Sequence, residues 1–267
     1  MRIEPDRKHI PALTELWHKV FGDETDYISL FFDSVYRNSK VFIKEDNFKT
    51  VSALYLLPCR LCYNGESFNG FYLYAAATDP SYRKHGFMSS LINEAHMYAR
   101  DEGADFIALV PASESLYDYY ERFSYKRCMY KSYDVIDALN EGVSAGLCDV
   151  KTYSEQRQKC FDNHLKWGFG ELSYGLSCFD FLGISTYTCD GFSFILNKGS
   201  NEISELCCSK DDYGYVKNRL VNMLDNGQYK VFSPYGKNII SFGMVYPINY
   251  KLTQVYENSV YMNIAFD

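Results

Sequence analysis

A chain of 267 residues with 47% hydrophobic residues can bury one large core or two ordinary ones. Its formal net charge of -7 and the absence of a long Lys/Arg run argue against nucleic acid, whose binding needs clustered cations to neutralise phosphates. The opening residues MRIEPDRKHIP lack the apolar segment of a signal peptide, and no apolar run approaches the roughly 20 residues of a membrane span, so a soluble, cytoplasmic protein is expected.

Ile10, Leu13, Trp17, Val20 and Phe21 recur at helical spacing and Gly22 stops the run. A second helix is predicted over 25–36, with Ile28, Phe31, Phe32 and Val35 inward. The period then falls to two. Strands are expected over 41–44 and 51–57, then a turn at Asn64-Gly65, where both residues tolerate positive φ. A strand over 71–77 follows. Cys59 and Cys62 form a lone C-x-x-C without a second pair or a neighbouring His; they and the other seven cysteines read as reduced thiols, not as a metal or redox centre.

The stretch SYRKHGFMSS (81–90) joins that strand to a helix over 87–100 carried by Met88, Leu91, Ile92, Ala95 and Ala99. A helix start offers free N–H groups and about half a positive charge. Gly86 allows positive φ and close approach, and Arg83 and Lys84 add two cations. Together they predict a phosphate cradle. Beyond it come a buried strand over 106–110, a short helix over 115–123 and strand-like residues over 127–135. The order predicts a mixed α/β sheet with one crossover at 71–110, where ligands sit at strand carboxyl ends.

Arg83-x-x-Gly86 resembles the R/Q-x-x-G-x-G/A loop of the GCN5-related N-acetyltransferases (GNAT). The approach LLPCRLCYNGESFNGFYLYAAATDPSYRKHG and the later ALVPASESLYDYYERFSYKR extend that resemblance over about residues 40–130. It is nearest the enhanced-intracellular-survival (Eis) branch, which has tandem acetyltransferase-like domains. The resemblance implies an α/β GNAT fold and an acetyl-coenzyme A-dependent N-acetyltransferase acting on a primary amine of a small molecule or peptide, with no metal. It implies that Ala76, Ala77 and Thr78 meet the pantetheine arm. Lys84, His85, Gly86, Phe87 and Met88 would surround the phosphates with their amides, Ser89 with its hydroxyl and Arg83 with its charge; Ser113 and Tyr117 would line the cofactor. Tyr120, at the signature tyrosine, would protonate the leaving thiolate. Tyr117 is a reserve for that role. Glu114 and Asp267 are candidates for the base, the latter because a terminal carboxylate enters the site in the Eis branch. Three departures stand out: Met88 and Ser124 occupy positions where the family has small residues, and Ser113 replaces an asparagine.

Residues 1–139 are expected to form this domain, and 140–267 a degenerate copy without a coenzyme site. In the second half a helix is predicted near 155–165, another near 172–182, and a strand–helix–strand run whose helix begins with Asp211 and Asp212, which repel phosphate. Two other functions fit the sequence, a non-catalytic acyl-coenzyme A sensor and a tRNA-dependent aminoacyl transferase. Self-association is compatible with it.

Overall fold

The computed structural model describes residues 1–139, 145–255 and 257–265. In chain order the first part contains β1 (Arg2–Ile3), α1 (Ile10–Phe21), α2 (Thr25–Ser34), β2 (Lys40–Asp46), β3 (Lys49–Tyr63), β4 (Glu66–Thr78), α3 (Phe87–Asp101), β5 (Phe106–Leu109), α4 (Glu114–Glu121) and β6 (Lys126–Ala138). The rest contains β7 (Gly146–Leu147), α5 (Val150–Cys160), β8 (His164–Trp167), α6 (Phe169–Phe181), β9 (Ser185–Cys189), β10 (Phe192–Asn197), β11 (Glu202–Cys207), α7 (Tyr213–Met223), β12 (Gly227–Phe232), β13 (Asn238–Pro247) and β14 (Val260–Tyr261). The hairpin turn is where the sequence puts it, with φ of 52° at Asn64 and 77° at Gly65. The helix expected over 155–165 starts earlier, because the Asp149 carboxylate caps the amides of Lys151 and Thr152; Leu165 lies in a strand instead.

All the strands join one sheet, in the order β1-β2-β3-β4-β5-β13-β6-β12-β11-β10-β9-β7. The expected division after residue 139 does not separate two sheets. β13, from the second segment, lies between β5 and β6 of the first, antiparallel to both. β6 in turn pairs with β12. Strands of each half therefore pair with the other half: β13 and β14 with strands of the first, and β6 with β12 of the second. β3, β4, β5, β13, β6, β14 and β8 also close into a ring. Every strand of the ring contributes to one core, through residues such as Leu61, Tyr72, Phe106, Val245, Met129, Val260 and Trp167. That core continues under α1, α2 and α6, whereas α3 and α4 cover a second core containing Leu54, Leu91, Tyr120 and Met244.

Candidate active site

β4 carries the main irregularity of the central sheet. Tyr55 faces Tyr74, but Ala53 faces Ala77, so two steps on β3 match three on β4. The extra residue forms a bulge in which Ala75 takes φ of 45°, an uncommon and strained setting for a side chain. Ala75 and Ala76 stay half-buried. On its other side β4 pairs with β5 only at Gly70–Phe106, Phe71–Ile107 and Tyr72–Ala108. β4 continues to Thr78, so its last turn of strand has no neighbour toward β5. Ala76, Ala77 and Thr78 lie on this stretch; the Ala77 carbonyl accepts a hydrogen bond from Ser52 on the β3 side at 3.0 Å.

Asp79 fixes the exit from β4. Its carboxylate is 1% exposed and accepts from Lys19 of α1 at 2.8 Å and Lys49 of β3 at 3.4 Å. The Lys19 contact above all holds this carboxyl below the usual range, at about 2. The loop that follows is exposed from Arg83 to Gly86. Arg83 Nε donates to the Thr78 carbonyl at 3.3 Å, which turns the guanidinium back toward the strand. Lys84 and Gly86 take φ of 68° and 79°. Gly86 is the N-cap of α3 and makes no side-chain capping bond. Ser90 N–H donates to the Gly86 carbonyl, so the amides of Phe87, Met88 and Ser89 precede the first intrahelical bond. A Cβ at Gly86 would meet nothing within 4 Å. Backbone strain, not crowding, is what favours glycine there. Met88 packs its side chain against the second core, which leaves only its amide for the corner. The His85 ring is exposed, with its centroid 6.2 Å from that of Phe87.

α4 faces this corner. Ser113, its exposed N-cap residue, has its Oγ 3.1 Å from that of Ser115. Tyr117 is buried and its hydroxyl donates to the Phe242 carbonyl of β13 at 2.9 Å. Burial, then the charge of Glu114, raises this phenol above its ordinary pKa, opposed by Arg127. Tyr120 is 7% exposed, between the rings of Tyr119 (5.3 Å) and Tyr125 (5.6 Å). Arg127 of β6 fastens the helix by binding Glu121, Glu114 and Asp118 at 2.8, 2.7 and 3.1 Å. Glu114 is thus an exposed partner of Arg127, a geometry that suits anchoring better than proton abstraction. Asp267 lies outside the described residues. After α4, Ser124 takes φ of 67°. The glycine of the family pattern marks a left-handed position, and serine occupies it here under strain.

Two contacts were not read from the sequence. Tyr119 Oη lies 3.3 Å from Ser89 Oγ and ties α4 to the first turn of α3. The Phe242 carbonyl reaches Tyr117 from a strand 125 residues away. Cys59 and Cys62 are free thiols, and the described residues hold no group of three or more His, Cys, Asp or Glu able to bind a metal. No described helix is long and apolar enough to cross a membrane.

Residues 4–128 match the family model described as "Acetyltransferase (GNAT) domain". No curated protein matches the sequence. Among solved structures, a probable N-acyltransferase from Enterococcus faecalis V583 superposes with a TM-score of 0.71 at 11% identity, over 93% of this chain and 72% of that one. A GCN5-related N-acetyltransferase from Kribbella flavida gives 0.69 at 13% identity, over 92% and 71%. Eis1 from Mycobacterium abscessus gives 0.70 at 10% identity, over 92% and 72%. These likenesses concern the fold, and the family match adds the domain. Residues 4–128 thus match the GNAT acetyltransferase domain, and the chain as a whole shares the fold of these acetyltransferase structures.

Proposed function

We propose that this protein moves an acetyl group from acetyl-coenzyme A to a primary amine of a small molecule or peptide, by direct attack. One observation carries the reading. β4 parts from β5 next to the strained bulge at Ala75, and the strand leads into the uncapped end of α3, which α4 touches. The free edge of β4 at Ala76, Ala77 and Thr78 suits the pantetheine amides, which would add to the sheet like a short strand. The amides of Lys84, His85, Gly86, Phe87, Met88 and Ser89 suit the phosphates. Ser113 and Tyr117 line the approach from α4.

Attack requires a neutral amine. Deprotonating a lysine-like amine of pKa about 10.4 at pH 7 costs roughly 4–5 kcal/mol, so a water path to solvent must take that proton. The nitrogen then bonds to the thioester carbon, the carbon–sulfur bond breaks and the thiolate leaves. Tyr120 is the proton donor in this reading: a phenol held beside the leaving thiolate can give it a proton as general acid. The test is Tyr120→Phe, with thiol release read against an amine panel. kcat should fall by about 10²-fold or more while the Kd for acetyl-coenzyme A stays within about twofold. An unchanged kcat refutes the role of Tyr120. Tight binding by the wild type without turnover of any amine would point to an acyl-coenzyme A sensor.

A further inference from the structure

Arg83 and Lys84 are the cations that the loop itself brings to the α3 N-terminus, and Arg83 is turned back onto Thr78. Another cation lies over a ring of α4 whose hydroxyl touches α3. Arg122, the residue after that helix, sets its Cζ 5.1 Å from the centroid of the Tyr119 ring. The Tyr119 hydroxyl is the group that lies 3.3 Å from Ser89 Oγ in the first turn of α3. Arg122 is exposed and joins no ion pair among the described residues. Its isolation is notable because α4 carries Glu114, Asp118 and Glu121, all of them turned to Arg127. The helix thus neutralises one arginine with three carboxylates and leaves the other without a counter-ion among the described residues, over a ring whose hydroxyl touches the first turn of α3. A planar guanidinium held on an aromatic face, with its edge donors unpaired, suits bidentate binding of phosphate.

We infer that Arg122 binds a phosphate of the coenzyme and closes the α3 cradle from the α4 side. The inference rests on the coenzyme reading above. Coenzyme A offers a pyrophosphate and a 3′-phosphate, and the guanidinium contact fits either.

Calorimetric titration with coenzyme A and with dephospho-coenzyme A, which lacks the 3′-phosphate, tests it. The proteins are the wild type, Arg122→Gln and Arg60→Gln, the last removing an exposed arginine of β3 on the stretch paired with β8. Arg122→Gln should weaken coenzyme A binding about tenfold, the scale of a charge-assisted contact at an open site. Arg60→Gln should change it less than about twofold. A loss confined to coenzyme A assigns the 3′-phosphate; an equal loss with both ligands assigns the pyrophosphate, and either supports the inference. Arg122→Gln binding like the wild type, or a loss matched by Arg60→Gln, overturns it and leaves the coenzyme site standing. A wild type that binds neither ligand refutes the coenzyme reading itself.

Discussion

β4, α3 and β5 make a strand–helix–strand corner, and β11, α7 and β12 make another with the same parallel connection. In both, the parallel ladder is short, at three residue pairs and two. What fills the gap differs. In the first corner the helix starts at Gly86, with no acidic residue in its first turn. In the second, Asp212 is the N-cap of α7 and exchanges hydrogen bonds with Ser209, Oγ to carboxylate at 2.6 Å. Beside it the Asp134 carboxylate takes Tyr213 and Lys217 from the same helix. On the face of β11 turned to α5, Glu205 is fully buried and bound by Arg157 at 2.8 and 3.3 Å and by Tyr153 at 2.5 Å. A helix N-terminus attracts anions only while the chain does not supply its own. One topology therefore carries a glycine-led helix start in one corner and an aspartate-led one in the other.

The buried Glu205–Arg157 pair offers the largest effect. Glu205→Ala leaves Arg157 charged and buried without its carboxylate, with only the Leu165 carbonyl at 2.9 Å to accept from it among the described residues, so urea unfolding should show a loss of about 3–5 kcal/mol. A loss below about 1 kcal/mol would mean that the second corner is not held by this pair. In the first corner, Gly86→Asp adds left-handed strain of roughly 1–2 kcal/mol and a negative charge facing phosphate. Titration should then show acetyl-coenzyme A binding about 50-fold weaker or more, in a folded protein whose melting temperature is lowered by about 2–8 °C. Ser124→Gly should relieve the strained turn after α4 and raise stability by about 0.5 kcal/mol, once the greater chain freedom of glycine is subtracted. A destabilised Ser124→Gly would show that the serine makes a contact worth more than its strain.

Asp79 gives the smallest and most specific signature. Its carboxyl is held at about 2, chiefly by Lys19, against about 3.9 for a free aspartate. A depressed acid stabilises the fold above its unfolded pKa, and that contribution fades as pH falls through the folded value. The stability gap between wild type and Asp79→Asn should be constant from pH 7 to 5 and should shrink between pH 4 and 2. A gap independent of pH would show that the lysines do not grip Asp79 in solution.

Much of the first corner was legible in the residues. The Asn64-Gly65 turn, the amphipathic run after Gly86 and the cations before it are local signals, and the backbone follows each of them. Ser124 was visible as a departure, and its positive φ gives the physical reason for the glycine it replaces. Tyr117 and Glu114 were legible as candidates but not in their bonds. The first reaches a carbonyl of β13 and the second an arginine of β6, and no periodicity in α4 reveals either partner. The stacking of Arg122 on Tyr119 and the contact of Tyr119 with Ser89 were hidden likewise, since they join side chains from two helices.

The sequence by itself determined the local elements, the glycine-led start of α3 and the acidic start of the second crossover helix, because these depend on neighbours within a turn or two. Only the tertiary structure decided that β13 enters between β5 and β6, that seven strands close a ring, and which hydroxyls and charges of α4 are already engaged. Strand pairing across more than a hundred residues is selected by the fit of whole faces to a shared core, and a run of alternating residues fixes a strand without fixing its neighbour.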